Sequence, residues 1–98
     1  ESVHAVNRED AKISVFDSGF LLGDGIWEGI RLVNNEWMFL DEHLDRLFEG
    51  CKAIDININL SKQDIKNAII KTQEENNMNN SAHARLMITR GNKIKLLL

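Results

Sequence analysis

A chain of 98 residues, 43% of them hydrophobic, has the size of one domain with a modest core. A net charge of −3 without a long run of Lys or Arg argues against a nucleic-acid partner, and the single cysteine, Cys51, excludes an intrachain disulfide and fits a reducing, cytoplasmic setting. No stretch approaches the length of a membrane span, and the polar opening ESVHAVNRED holds no apolar targeting segment.

Residues 12–16, KISVF, alternate polar and apolar side chains and predict a first strand that stops at the breaker group Asp17-Ser18-Gly19. Four of the six glycines, Gly19, Gly23, Gly25 and Gly29, then fall within eleven positions. A dinucleotide fingerprint would need glycine at position 28, which is Glu, and a phosphate-binding loop would need Lys after Gly25, where Ile26 stands. Both readings fail.

From Ile26 to Val33 the chain is β-prone, Asn34-Asn35 tolerates the positive φ of a tight turn, and WMFL resumes as a return strand. Alternation along the first of these strands puts Trp27, Gly29 and Arg31 on one face and Glu28, Ile30 and Leu32 on the other. A residue without a side chain between an aromatic and a cation is either a surface that a ligand approaches or a tight packing or bulge site, and the residues alone favour the second. Glu28 faces away from Trp27 and reads as structural.

Leu40, Leu44, Leu47, Phe48, Cys51 and Ile54 recur at spacings of three and four, which predicts a helix over 41–55 with Asp41 as N-cap. Arg46 lies nearly opposite the Leu44, Phe48, Cys51 stripe, with His43 and Gly50 beside it. A solvated arginine is the default there; the alternative is a guanidinium that grips an anion through parallel hydrogen bonds. Ser61 and Asp64 resemble a capping box that opens a second helix, with Ile65, Ala68, Ile69 and Thr72 on its apolar side, ended by the Asn-rich ENNMNNS. Residues 82–90, AHARLMITR, alternate again and predict a strand stopped by Gly91. Strands, then helices, then a strand predict an α+β domain with a mainly antiparallel sheet. Cys51, in the apolar stripe, reads as buried and inert, and His4, His43 and His83 lack ligand spacing, so no metal site is expected.

Two motifs in this order, Gly23-Asp24-Gly25 running into Trp27-Glu28-Gly29-Ile30-Arg31 and His43-Leu44-Asp45-Arg46-Leu47, resemble the amino-terminal small domain of the class IV aminotransferases, the fold-type IV pyridoxal phosphate enzymes; LMITRG is a looser third match. The resemblance covers roughly residues 11–91. It implies that residues 1–98 are that small domain, a mainly antiparallel sheet with two helices on one side. It further implies that Arg46 binds the cofactor phosphate, that Trp27 and Arg31 line the substrate pocket, and that His83 and Arg85 stand near the substrate carboxylate. The substrates implied are an amino acid, branched-chain or similar, and a 2-oxo acid.

Departures from the family pattern are Leu22 and His83, where branched-chain enzymes carry tyrosines, and the absence after Gly91 of the Arg-x-His pair of D-amino acid enzymes, for which Lys93 and Lys95 are the only nearby cations. In this family the lysine that forms the Schiff base comes from a large carboxy-terminal domain, and no lysine here matches it. The expectation is therefore half an active site, with no catalytic residue of its own, inactive alone and completed by the missing large domain and by a homodimer partner. The alternatives are an aminodeoxychorismate lyase-like enzyme with the same cofactor, and a non-catalytic binding or dimerisation module of the same fold.

Overall fold

The computed structural model describes residues 5–91; His4, Lys93 and Lys95 lie outside the described residues. After a single 3₁₀ turn at Arg8–Asp10, the elements are α1 (Ser18–Leu22), β1 (Gly25–Val33), β2 (Glu36–Trp37), α2 (Leu40–Ala53), α3 (Lys62–Glu75) and β3 (Ala82–Thr89). The sheet is antiparallel in the order β2-β1-β3.

The pleat of β1 sorts its side chains as expected. Glu28, Ile30 and Leu32 are buried, while Trp27 and Arg31 on the opposite face are exposed. Ile30 packs with Leu44 and Leu47 of α2 and with Ile65 and Ile69 of α3, so both long helices cover one side of the sheet. Ile26, Leu86 and Ile88, on the same sheet face, extend that core.

The two long helices follow the sequence with one correction. The capping box of α3 forms, Ser61 Oγ accepting from the Asp64 amide at 3.0 Å and Asp64 accepting from the Ser61 amide at 2.9 Å. Asp41, however, does not cap α2. The N-cap is Phe39, in a left-handed conformation with φ 55° and no side-chain hydrogen bond to the helix. Asp41 sits in the first turn instead and pairs with Lys66 at 2.5 Å and Lys62 at 3.3 Å, tying α2 to α3.

Two expected strands are not as read. Residues 12–16 form no strand, because no neighbouring strand among the described residues takes up their backbone groups. Asp17 does not merely break the chain; its carboxylate accepts from the amides of Gly19 and Phe20 and caps the short helix α1, while its other oxygen accepts from Thr89 Oγ1 at 2.9 Å. The Asn34-Asn35 turn is present with both φ angles positive, yet the return strand is only two residues long. Met38 still donates to the Arg31 carbonyl at 2.9 Å before Phe39 turns the chain into α2.

Within the glycine cluster, Gly25 serves close packing and Gly23 a left-handed turn. A Cβ on Gly25 would stand 2.6 Å from the Ile88 carbonyl oxygen, and Gly23 ends α1 with φ 67°. Gly25→Ala is expected to destabilise the fold by about 1–3 kcal/mol, because strand β3 must move aside to admit the methyl group. Urea denaturation measures this, and an unchanged midpoint would show that β3 yields without strain.

Candidate functional site

The central observation is the one acid on the buried face of β1. A carboxylate at such a position must find partners or lose its charge. Glu28, 4% exposed, finds two on α2. Arg46 donates Nε–H to Oε2 at 2.9 Å and Nη2–H to Oε1 at 2.7 Å, a two-pronged pairing. His43 Nδ1 lies 2.7 Å from Oε1. Because Arg46 holds the Glu28 carboxyl below the usual glutamate range, against burial and with help from His43, the group is an acceptor and His43 Nδ1–H is the donor. Glu28 in turn raises the pKa of Arg46.

The sequence turned Arg46 away from the core, and its side chain is indeed 71% exposed. What the sequence did not disclose is that one edge of the guanidinium is anchored inside the domain. Nε and one Nη2 hydrogen point at Glu28, and the geometry of a planar fork then leaves Nη1 and the second Nη2 hydrogen directed outward. Arg46 also lines a cavity of about 360 Å³, with Phe39, Glu42 and His43. Arg46 and His43 are three residues apart on one helix, and a charge at a buried strand position was the signal that Glu28 needed them.

The other four expected site residues gather on the opposite face of the sheet. Strand register sets Gly29 against Arg85, Arg31 against His83 and Trp27 against Met87, so Trp27, Arg31, His83 and Arg85 share one exposed surface. The Arg85 guanidinium lies over the Trp27 ring, 4.7 Å from its centroid, a cation–π contact that holds both side chains. The gap at Gly29 is narrower than the strand pattern suggests. A Cβ there would meet His83 Cε1 at 3.5 Å and Trp27 Cζ3 at 3.6 Å, ordinary contact distances, so the two rings border the notch themselves.

The two groups meet along β1. Glu28 lies between Trp27 and Gly29 in sequence, and among the described residues the strand from Gly25 to Ile30 pairs only with β3. The Arg46 guanidinium therefore lies on one side of a strand whose other side presents an indole and two arginines. Among the described residues no group of three His, Cys, Asp or Glu side chains is placed to hold a metal ion, and no helix is long and apolar enough to cross a membrane. Cys51 is buried, and burial pushes its thiol pKa up, away from nucleophile chemistry.

The family model for amino-transferase class IV matches residues 25–95. The chain is 44% identical over 87 residues to branched-chain-amino-acid aminotransferase-like protein 1 of Arabidopsis thaliana, covering 89% of this chain and 16% of that protein. It is 39% identical over 88 residues to D-alanine aminotransferase of Listeria monocytogenes, covering 90% of this chain and 30% of that one. The T.th. branched-chain amino acid aminotransferase complexed with N-(5'-phosphopyridoxyl)-L-glutamate superposes with a TM-score of 0.81 at 26% identity, over 90% of this chain and 30% of its own. The 4-amino-4-deoxychorismate lyase of Pseudomonas aeruginosa superposes with a TM-score of 0.70 at 28% identity, over 86% and 29%. The chain thus spans less than a third of the length of these proteins.

Proposed function

Since the chain belongs to the class IV aminotransferase family, we propose that residues 1–98 are the small domain of a pyridoxal-phosphate enzyme that moves an amino group between an amino acid and a 2-oxo acid. The observation that carries this reading is the Glu28–Arg46 fork. It fixes a guanidinium with its outer N–H groups exposed, the donor chemistry that a phosphate ester requires.

Pyridoxal phosphate, when bound, supplies the electron sink for breaking and making bonds at the amino-acid α-carbon. The residues of this chain bind and orient. Arg46 would hold the phosphate, and Glu28, itself held by His43, would keep the Arg46 plane from rotating. Trp27 would form an apolar wall for the substrate, with Arg31, Arg85 and His83 as the groups that receive its carboxylate. Two arginines on a single face favour substrates carrying carboxylates, as the glutamate adduct on the T.th. enzyme does.

The lysine that the reaction needs would come from a large domain beyond these residues. The 98-residue chain mixed with pyridoxal phosphate and an amino acid is accordingly expected to yield no 2-oxo acid above the rate of free cofactor. Sustained turnover would refute the half-site reading. Exposed apolar side chains support burial against that domain or a second subunit: Phe20 is 66% exposed, Phe39 66%, Leu22 62% and Trp27 56%. The likeness to the Pseudomonas aeruginosa lyase favours a second reading, elimination of pyruvate from an aminodeoxychorismate on the same cofactor. Assaying the full-length enzyme with both substrate classes separates the two.

A further inference from the structure

The last residue before Gly91, Arg90, has no part in the site described above, yet its guanidinium is spent almost entirely on the fold. Nε–H donates to Asp24 Oδ2 at 2.7 Å and Nη2–H to Asp24 Oδ1 at 3.2 Å. Nη2–H also donates to the Ile54 carbonyl at 2.6 Å, and Nη1–H to the Asp55 carbonyl at 3.0 Å. The Arg90 amide adds a 3.4 Å bond to the Asp24 carbonyl.

Arg90 and these partners flank three separate elements. Asp24 is the residue before β1, Ile54 caps the C-terminal end of α2, and Arg90 follows β3. The carbonyls at the end of a helix lack intrahelical donors and carry the negative end of its dipole, so a guanidinium is well matched to them. Arg90 thereby ties the end of α2 to the start of β1.

Arg46 and Glu28 join the same two elements elsewhere. Ile54 lies eight residues after Arg46, about 12 Å along the helix axis. A rigid helix held at one point can pivot; held at two points this far apart, it cannot. We propose that Arg90 is a positioning residue whose clasp on Asp24 and the end of α2 sets the angle of that helix against β1, and so the place where Arg46 presents its outer N–H groups to the cofactor phosphate. The proposal rests on the reading of Arg46 as the phosphate ligand.

The test uses the full-length enzyme and two readouts besides activity: the dissociation constant of pyridoxal phosphate and the ³¹P resonance of the bound cofactor. Arg90→Gln is expected to raise the dissociation constant about tenfold and to move the resonance. Asp24→Asn should do the same, and the double variant should be no worse than the poorer single one, since both break one clasp. The comparator is Lys62→Ala with Lys66→Ala, which removes the ion pairs to Asp41 and Asp45 that bind α2 to α3. It should lower the melting temperature yet leave the dissociation constant within twofold.

Arg90→Lys, which keeps a charge but can satisfy only part of the acceptor set, covers the case in which the glutamine variant fails to fold; a loosening of two- to fivefold is expected. Unchanged binding and resonance in the Arg90 variants, or equal loosening in the comparator, would overturn the proposal. If Arg46→Ala left the dissociation constant unchanged, the phosphate reading itself would fall, and the clasp's role with it.

Discussion

Arg46→Ala in the full-length enzyme is expected to raise the dissociation constant of pyridoxal phosphate on the order of a hundredfold, read by spectroscopic titration of cofactor-free protein. Two charge-assisted hydrogen bonds from a fixed fork to a dianion are lost together, and nothing else among the described residues around that cavity carries a permanent positive charge, its other liners being Phe39, Glu42 and His43. The side chain is largely exposed, so its removal opens no cavity in the hydrophobic core, but it leaves the buried Glu28 with His43 alone of its two α2 partners, and a melting curve must accompany the titration. Arg46→Lys sharpens the reading. An ammonium keeps the attraction, but a point charge cannot brace against Glu28 and present a planar edge outward at once, so a loss of about tenfold is expected. Binding equal to that of the unaltered enzyme in both variants would remove Arg46 from the site.

Glu28→Gln is expected to act on fold and cofactor together. The amide retains one acceptor but loses the charge that organises Arg46 and His43, and the melting temperature should fall by about 5–10 °C. Freed from its brace, Arg46 samples other rotamers, and the cofactor should bind roughly tenfold more weakly. The pH dependence supplies a signature. Arg46 holds the native Glu28 carboxyl below its ordinary value, so its contribution to stability is complete above the ordinary glutamate range. Below about pH 4 that contribution declines, because the unfolded chain takes up its proton first, and it is gone once the native carboxyl is protonated too. Thermal melts of the unaltered chain should therefore drop more steeply on the acid side than those of Glu28→Gln. Parallel acid limbs would show that the ion pair contributes nothing to the fold.

Much of this architecture could be read from residue order alone. The two-residue period of β1 and β3, the three-and-four spacing of α2 and α3, the Ser61–Asp64 cap and the Asn34-Asn35 turn are local rules, satisfied within a few residues of chain. The same periodicity set Trp27 with Arg31 on one face of β1 and His83 with Arg85 on one face of β3, because alternation needs no knowledge of the partner strand; the pairing register then made those two faces one surface.

Where a group's partner lay far along the chain, local rules misjudged it. The segment 12–16 has the alternation of a strand but no neighbour to pair with among the described residues, and Asp17, which looked like a breaker, is committed to Thr89, 72 residues away. Asp41 has the chemistry of an N-cap, yet lysines from α3 claim it. Glu28 looked merely structural and is the anchor of the candidate site, because His43 and Arg46 reach it only once α2 has packed on the sheet. Sequence thus determined which face each side chain occupies, a matter of backbone period. Tertiary structure alone decided which charges meet, since hydrogen bonds act over about 3 Å and only packing brings residues 18 positions apart within that range.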